Sequence, residues 1–144
     1  MNRDPFTPDP HAPLHVVMNA GSGADDAAVA RATIERTLTE AGRPHVLRLV
    51  DAPARLPAIA REAVEQAGRD GGIVVAAGGD GTINAVAQAV LGGGCPFGVL
   101  PQGTFNYFSR THGIPAETEA ALQVLLTARA HPVQAGLVND RVFL

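Results

Sequence analysis

Residues 73 to 82 constrain the fold of this chain more than any other stretch. Ile73-Val74-Val75-Ala76-Ala77 is an unbroken apolar run that empties directly into Gly78-Gly79-Asp80-Gly81-Thr82. A short strand that is apolar on both faces needs cover on both sides, the condition of a strand in a parallel sheet layered between helices. The turn after it holds more small residues than a corner needs. Glycine admits positive φ and close approach of backbone amides to a ligand, and a following helix adds partial positive charge at its first turn. Together these features describe an anion cradle.

The rest of the chain repeats the strand-to-helix rhythm. His15-Val16-Val17-Met18 reads as a strand that stops at Asn19-Ala20-Gly21-Ser22-Gly23. Ala27, Ala30, Ile34, Leu38 and Ala41 then recur at helical spacing, with Ser22 or Asp25 as N-cap and Gly42 as stop. His45 to Val50 alternates as a second strand, and Leu56, Ile59, Ala60, Ala63 and Ala67 mark a second helix expected to end at Gly68. After the glycine turn, Ile83, Val86, Ala87 and Val90 outline a third helix closed by Gly92-Gly93-Gly94. Phe97 to Leu100 is a fourth strand, Pro101 to Asn106 a polar loop, and Ala120, Ala121, Val124 and Leu125 mark a helix beyond Pro115. Such alternation predicts an α/β fold: an open, doubly wound, mainly parallel sheet with helices on both faces.

With 144 residues the chain has room for one core. Its expected organisation is a loose N-terminal tail over 1–13, an α/β domain over 14–130, and a hairpin over 131–144. In that hairpin Pro132 to Val138 and Arg141 to Leu144 flank Asn139-Asp140. A hairpin is marginal alone, so a second domain is expected beyond Leu144. The net charge of −3 offers no basic face to nucleic acid. No segment reaches the apolar length of a membrane span and no signal peptide is evident, so the cytoplasm is the expected compartment. Cys95 lies among Leu91, Pro96 and Phe97 and reads as a packed thiol.

In open parallel sheets ligands bind beyond the carboxyl ends of the strands. The loops expected there are Asn19 to Gly23, Asp51, Gly78 to Thr82, and Pro101-Gln102-Gly103-Thr104-Phe105-Asn106. All 11 basic residues are arginine, which removes Schiff-base chemistry and the P-loop lysine. Phosphate must therefore be held by backbone amides, by hydroxyls such as Ser22, Thr82 and Thr104, by arginine, or by a metal ion. Mg²⁺ is the economical choice, since it binds through few carboxylates plus substrate phosphates. Asp80 either meets that ion or a nucleotide hydroxyl, or caps the helix that follows. Gly21-Ser22-Gly23 lacks the third glycine of the dinucleotide fingerprint, which disfavours hydride chemistry.

Three motifs carry a resemblance: Asn19-Ala20-Gly21-Ser22-Gly23, Gly78-Gly79-Asp80-Gly81-Thr82-Ile83-Asn84, and Leu100-Pro101-Gln102-Gly103-Thr104-Phe105-Asn106. In order and spacing they resemble the N-terminal part of the diacylglycerol kinase catalytic domain family, which includes other lipid kinases. The resemblance runs from about Leu14 to the end of the chain, and NAD kinases share only the middle motif. It implies transfer of the ATP γ-phosphate to the hydroxyl of a diacylglycerol-like lipid, with Mg²⁺, in a cleft completed by a second, β-rich domain that supplies the base. It further implies work at a membrane surface and is compatible with a homodimer; an isolated N-terminal part is expected to turn over little or nothing.

By motif position the nucleotide would meet Asn19, Ser22, Gly23, Asp51, Gly78, Gly79, Asp80, Gly81, Thr82, Ile83, Asn84, Gly103, Thr104 and Asn106. Asp80 would be the catalytic and metal-binding residue. Tyr107 and Gln134 stand where the family often has aspartate, which puts the acidic network in question. Phe105, Tyr107 and Phe108 read as core, and His112 as a surface or satisfied histidine. A NAD kinase-like phosphotransferase and a nucleotide-binding module without catalysis remain as alternative readings.

Overall fold

Four apolar segments pair in one direction. The computed structural model describes residues 11–20, 24–102, 111, 113–127, 136–138 and 141–143. Strands β1 (Leu14–Asn19), β2 (His45–Val50), β3 (Ile73–Gly78) and β4 (Phe97–Pro101) form a parallel sheet in the order β2-β1-β3-β4. Helices α1 (Ala24–Glu40), α2 (Leu56–Asp70) and α3 (Asp80–Val90) make the crossovers, with a 3₁₀ turn at Pro53–Arg55 leading into α2. Helix α4 (Thr118–Thr127) follows β4.

Period-two side chains divide the sheet into two cores. Leu14, Val16 and Met18 of β1, with Ile73, Val75 and Ala77 of β3, pack against Ile34 and Leu38 of α1 and Leu122 of α4. Val17, Val74, Ala76 and Val99 pack on the opposite face against Ala60, Ala63 and Ala67 of α2 and Ile83 and Val86 of α3. Every residue of β3 is buried, so cover on both faces explains its continuous apolar run.

One helix end and one helix face correct the sequence reading. Helix α2 passes through Gly68 and stops at Asp70, because the residue with the left-handed backbone is Gly71 (φ 69°, ψ 24°), whose amide donates to the Ala67 carbonyl. Gly42 (φ 67°) follows α1 in the same role, as expected. In α4 the buried side chains are Ala121 and Leu122, whereas Val124 is 45% exposed. The helix thus turns a slightly different face to β4 than its spacing suggested.

At the amino edge of the sheet sits a polar cluster that periodicity does not announce. His15, 2% exposed, lies 2.8 Å from the Asp70 carboxylate through Nε2 and 3.2 Å from Arg48 Nη1 through Nδ1. Arginine only donates, so Nδ1 accepts and Nε2 carries the proton toward Asp70. Buried Arg43 donates to the Ala12 carbonyl at 2.7 Å and ties the segment before β1 to the start of β2. Strands β5 (Gly136–Val138) and β6 (Arg141–Phe143) form an antiparallel pair in contact with α3. Their turn, Asn139-Asp140, and residues 131–135 lie outside the described residues, as does the tail before residue 11.

Candidate functional site

The strand order places a topological switch between β1 and β3: the chain leaves β1 toward β2 on one side, then crosses back to β3 on the other. The loops on either side of such a point diverge and leave a crevice. Here the loop ends remain tied together. The Ala20 amide donates to the Val50 carbonyl (3.1 Å), Asn19 Nδ2 donates to Thr82 Oγ1 (3.2 Å), and the Gln102 amide donates to the Gly78 carbonyl (2.9 Å). Hydrogen bonds thus link the ends of all four strands around the start of α3.

That start is built by glycine, although not through left-handed backbone. Gly79 is the N-cap residue with extended backbone (φ −82°, ψ −177°), and the first helical bond runs from the Ile83 amide to the Gly79 carbonyl at 3.0 Å. Among the described residues, positive φ occurs at Gly42, Gly71, Gly94 and Gly113, none of them in this turn. Room is what the turn requires. A Cβ on Gly78 would come within 2.7 Å of Thr82 Cβ and 2.8 Å of both Cγ2 and Oγ1. A Cβ on Gly81 would meet nothing within 4 Å, because that face of the helix start is open. Asp80 is the first helical residue and not the cap. The amides of Asp80, Gly81 and Thr82 precede the first helical donor, Ile83, and, with the helix dipole, favour an anion.

A cleft of about 450 Å³ lies over this start, within the range of small-ligand sites. Asn19, Gly78, Gly79, Gly81 and Thr82 form its polar floor. Pro53 and Leu56 wall it on the α2 side; Ala27, Met18 and Gln102 wall it on the α1 side. Gln102 is braced by donation from its carboxamide to Thr118 Oγ1 at 3.0 Å.

Of the residues singled out in the sequence, Asn19, Gly78, Gly79, Gly81 and Thr82 are therefore brought together on the cleft. Asp80 stands in the same turn between two lining glycines, half-buried, and Asn84 follows one helical turn later. The Ile83 side chain is core, 1% exposed, so only its backbone is available to a ligand. Asp51 does not line the cleft; it is exposed and lies 3.4 Å from Arg55. Ser22, Gly23, Gly103, Thr104 and Asn106 lie outside the described residues, as do Phe105, Tyr107, Phe108, His112 and Gln134. Sequence reasoning missed Pro53, Leu56 and Ala27. The first two follow β2 directly, where the carboxyl-edge rule already pointed to Asp51. Cys95 is half-buried beside the α2–α3 core, and burial pushes its thiol above the ordinary value.

Among the described residues no three histidine, cysteine or acidic side chains gather to hold a metal. A resident metal cage is thus not formed by them. Asp80 alone fits the mode in which Mg²⁺ takes one or two carboxylates and fills its shell with phosphate oxygens and water.

The sequence profile of the diacylglycerol kinase catalytic domain matches residues 13–138. The chain belongs to that family. A probable lipid kinase, YegS-like, of Pseudomonas aeruginosa (strain UCBPP-PA14) is 46% identical over 88 residues, covering 59% of this chain and 29% of the relative. A diacylglycerol kinase of Bacillus subtilis is 41% identical over 85 residues, covering 57% of this chain and 28% of the relative. The crystal structure of a diacylglycerol kinase from Bacillus anthracis superposes with a TM-score of 0.77 at 23% identity, over 93% of this chain and 46% of that one. The fold is thus that of this solved kinase, and the chain spans less than half of its length. Among the described residues no helix is long and apolar enough to cross a membrane.

Proposed function

We propose that this chain is the ATP-binding part of a lipid kinase that moves the γ-phosphate of ATP to a diacylglycerol-like hydroxyl. One observation carries the reading: the Asn19–Thr82 hydrogen bond joins the first motif to the second across the switch point, at the N-terminus of α3. A nucleotide in the cleft would lay its phosphates against the amides of Gly79 to Thr82. The apolar faces of its base and sugar would lie against the cleft's apolar lining. Ser22, Gly23, Asn84, Gly103, Thr104 and Asn106 complete the proposed nucleotide set by motif position, whereas Asp51, which does not line the cleft, stands paired with Arg55.

Phosphoryl transfer asks for positioning and charge neutralisation more than for covalent help from the protein. The lipid oxygen bonds to the γ-phosphorus as the bond to the bridging oxygen breaks, ADP departs, and the hydroxyl proton passes to a base. Asp80 is the proposed holder of Mg²⁺, which supplies charge neutralisation on the phosphates when bound. The base and the lipid contacts are assigned to a second domain outside this chain, so the chain alone is expected to bind ATP weakly and not to turn over. A lipid acceptor places the complete enzyme at a membrane surface.

The test is transfer of labelled phosphate from ATP to a lipid panel by a full-length form, with and without Mg²⁺, beside Asp80→Ala. Mg²⁺-dependent labelling of a glycerolipid, lost by at least about a hundredfold in Asp80→Ala, is expected. Labelling of NAD with every lipid inert refutes the lipid assignment, and full activity in Asp80→Ala refutes the role of Asp80.

A further inference from the structure

The cleft has polar and apolar walls, but among the described residues that line it there is no positively charged side chain. In a chain without lysine, a cation for a phosphate chain must be arginine or an ion. Most of the described arginines lie elsewhere in the fold. Arg31 pairs with Glu35 along α1, and Arg36 reaches Glu119 of α4. Arg43 is buried on the Ala12 carbonyl, and Arg48 bonds His15. Arg61 and Arg69 lie one and a half turns and more down α2, away from the carboxyl edge of the sheet.

Arg55 is different in place. Among the described residues it is the only arginine in the segments that leave the carboxyl ends of β1 to β4. It stands between Pro53 and Leu56, both of which line the cleft. Its link to Asp51 is long, 3.4 Å, and both side chains are about two-thirds exposed, 65% and 68%. An exposed pair of that kind contributes little to stability and is readily exchanged for a better anion. A phosphate accepts two parallel N–H bonds from a guanidinium, which a 3.4 Å single contact does not provide.

Resting on the ATP reading above, we propose that Arg55 is the phosphate-binding cation of this cleft. It exchanges Asp51 for the polyphosphate when nucleotide enters. Asp51 is then a positioning residue that parks the guanidinium at the mouth, and not a ligand of the nucleotide.

Calorimetric titration of the 144-residue chain with ATP and with adenosine tests this, using Arg55→Gln, Arg55→Lys, Asp51→Asn and, as a control for lost charge, Arg61→Gln. At low salt Arg55→Gln should weaken ATP binding about tenfold, the effect of one charge-assisted contact, and the gap should shrink at about 0.5 M salt. Arg55→Lys should recover part of the loss because it keeps the charge without the fork. Arg61→Gln should match the parent, and Asp51→Asn should bind ATP at least as tightly. Circular dichroism should show all variants folded, since both partners are exposed. Parental ATP affinity in Arg55→Gln overturns this proposal while leaving the ATP reading intact; equal losses in Arg55→Gln and Arg61→Gln, or weaker binding in Asp51→Asn, also overturn it. No ATP binding by the parent overturns both.

Discussion

Replacing Gly78 by alanine isolates what the glycine turn is for. The added Cβ would stand 2.7 Å from Thr82 Cβ and 2.8 Å from its Cγ2 and Oγ1, where apolar contacts settle near 3.5–4.0 Å. Rotating Thr82 about χ1 moves Cγ2 and Oγ1 but leaves Cβ in place, so the first turn of α3 must shift by nearly an ångström. Overpacking of this kind costs about 1–3 kcal/mol, and stretching the Asn19–Thr82 hydrogen bond adds about 1 kcal/mol. The backbone of Gly78 is open to any residue, so alanine regains about 0.4–1 kcal/mol through the unfolded chain. The balance is a loss of about 2 kcal/mol, or about 4–8 °C in melting temperature for a chain of this size.

Urea unfolding followed by circular dichroism reads that loss, and Gly81→Ala in parallel gives it meaning. Gly81 lies in the helix with nothing within 4 Å of its would-be Cβ, so alanine there should leave stability unchanged or raise it by up to about 1 kcal/mol. Its methyl group nevertheless projects where the cleft is lined, and should weaken nucleotide binding several-fold. In the Gly78→Ala background, Thr82→Gly removes the clashing atoms and should show a coupling of about 1–2 kcal/mol. Additive effects in that cycle, or a Gly78→Ala variant as stable as the parent, refute the steric account and return the turn to conformational need.

Further outcomes follow from other contacts. Asn19→Ala removes the bond to Thr82 and should cost about 1 kcal/mol while lowering ATP affinity, checked by denaturation and titration on the same sample. Asp70→Ala takes away the acceptor of buried His15 and should cost about 1–3 kcal/mol without touching ATP affinity, since the cluster lies at the amino edge of the sheet. Burial raises the Cys95 thiol, so less thiolate is present at a given pH. Alkylation by iodoacetamide should therefore run slower than for a free thiol peptide, with its rate rise displaced to higher pH, and unfolding should abolish the difference.

What the sequence made legible was whatever depends on neighbours along the chain. Continuous apolar runs located β1 and β3, and periodic alanines and leucines located α1 and α2, because covered parallel strands and helix faces leave those patterns directly. The stop of α2 was misplaced by two residues for a conformational reason: Gly68 and Gly71 look alike as letters, and only backbone geometry shows which is left-handed. The glycine turn was found for the right location and a different cause. Composition suggests positive φ, whereas the need for space at Gly78 comes from Thr82 folding back over it. Pro53 was not singled out and Leu56 was read only as a helix residue, because they become a wall of the cleft only once the chain is folded. Arg48 and Asp70 escaped as partners of His15 because they lie 33 and 55 residues away from it.

These misses share a geometry that bears on how the domain works. The contacts that sequence could not anticipate at the amino edge, around His15, hold the layers together. Those at the carboxyl edge, around Thr82, instead leave a space open. If stability and binding are assigned to opposite ends of the same four strands, they should respond to different substitutions. Asp70→Ala would lower the melting temperature at constant affinity, and Gly81→Ala would lower affinity at constant or higher melting temperature. Only Gly78→Ala and Asn19→Ala, which touch both the packing of α3 and the floor of the cleft, should move the two quantities together. A sheet whose two ends could not be separated in this way would mean that the cleft is held open by the whole core and not by the local fit of Gly78 against Thr82.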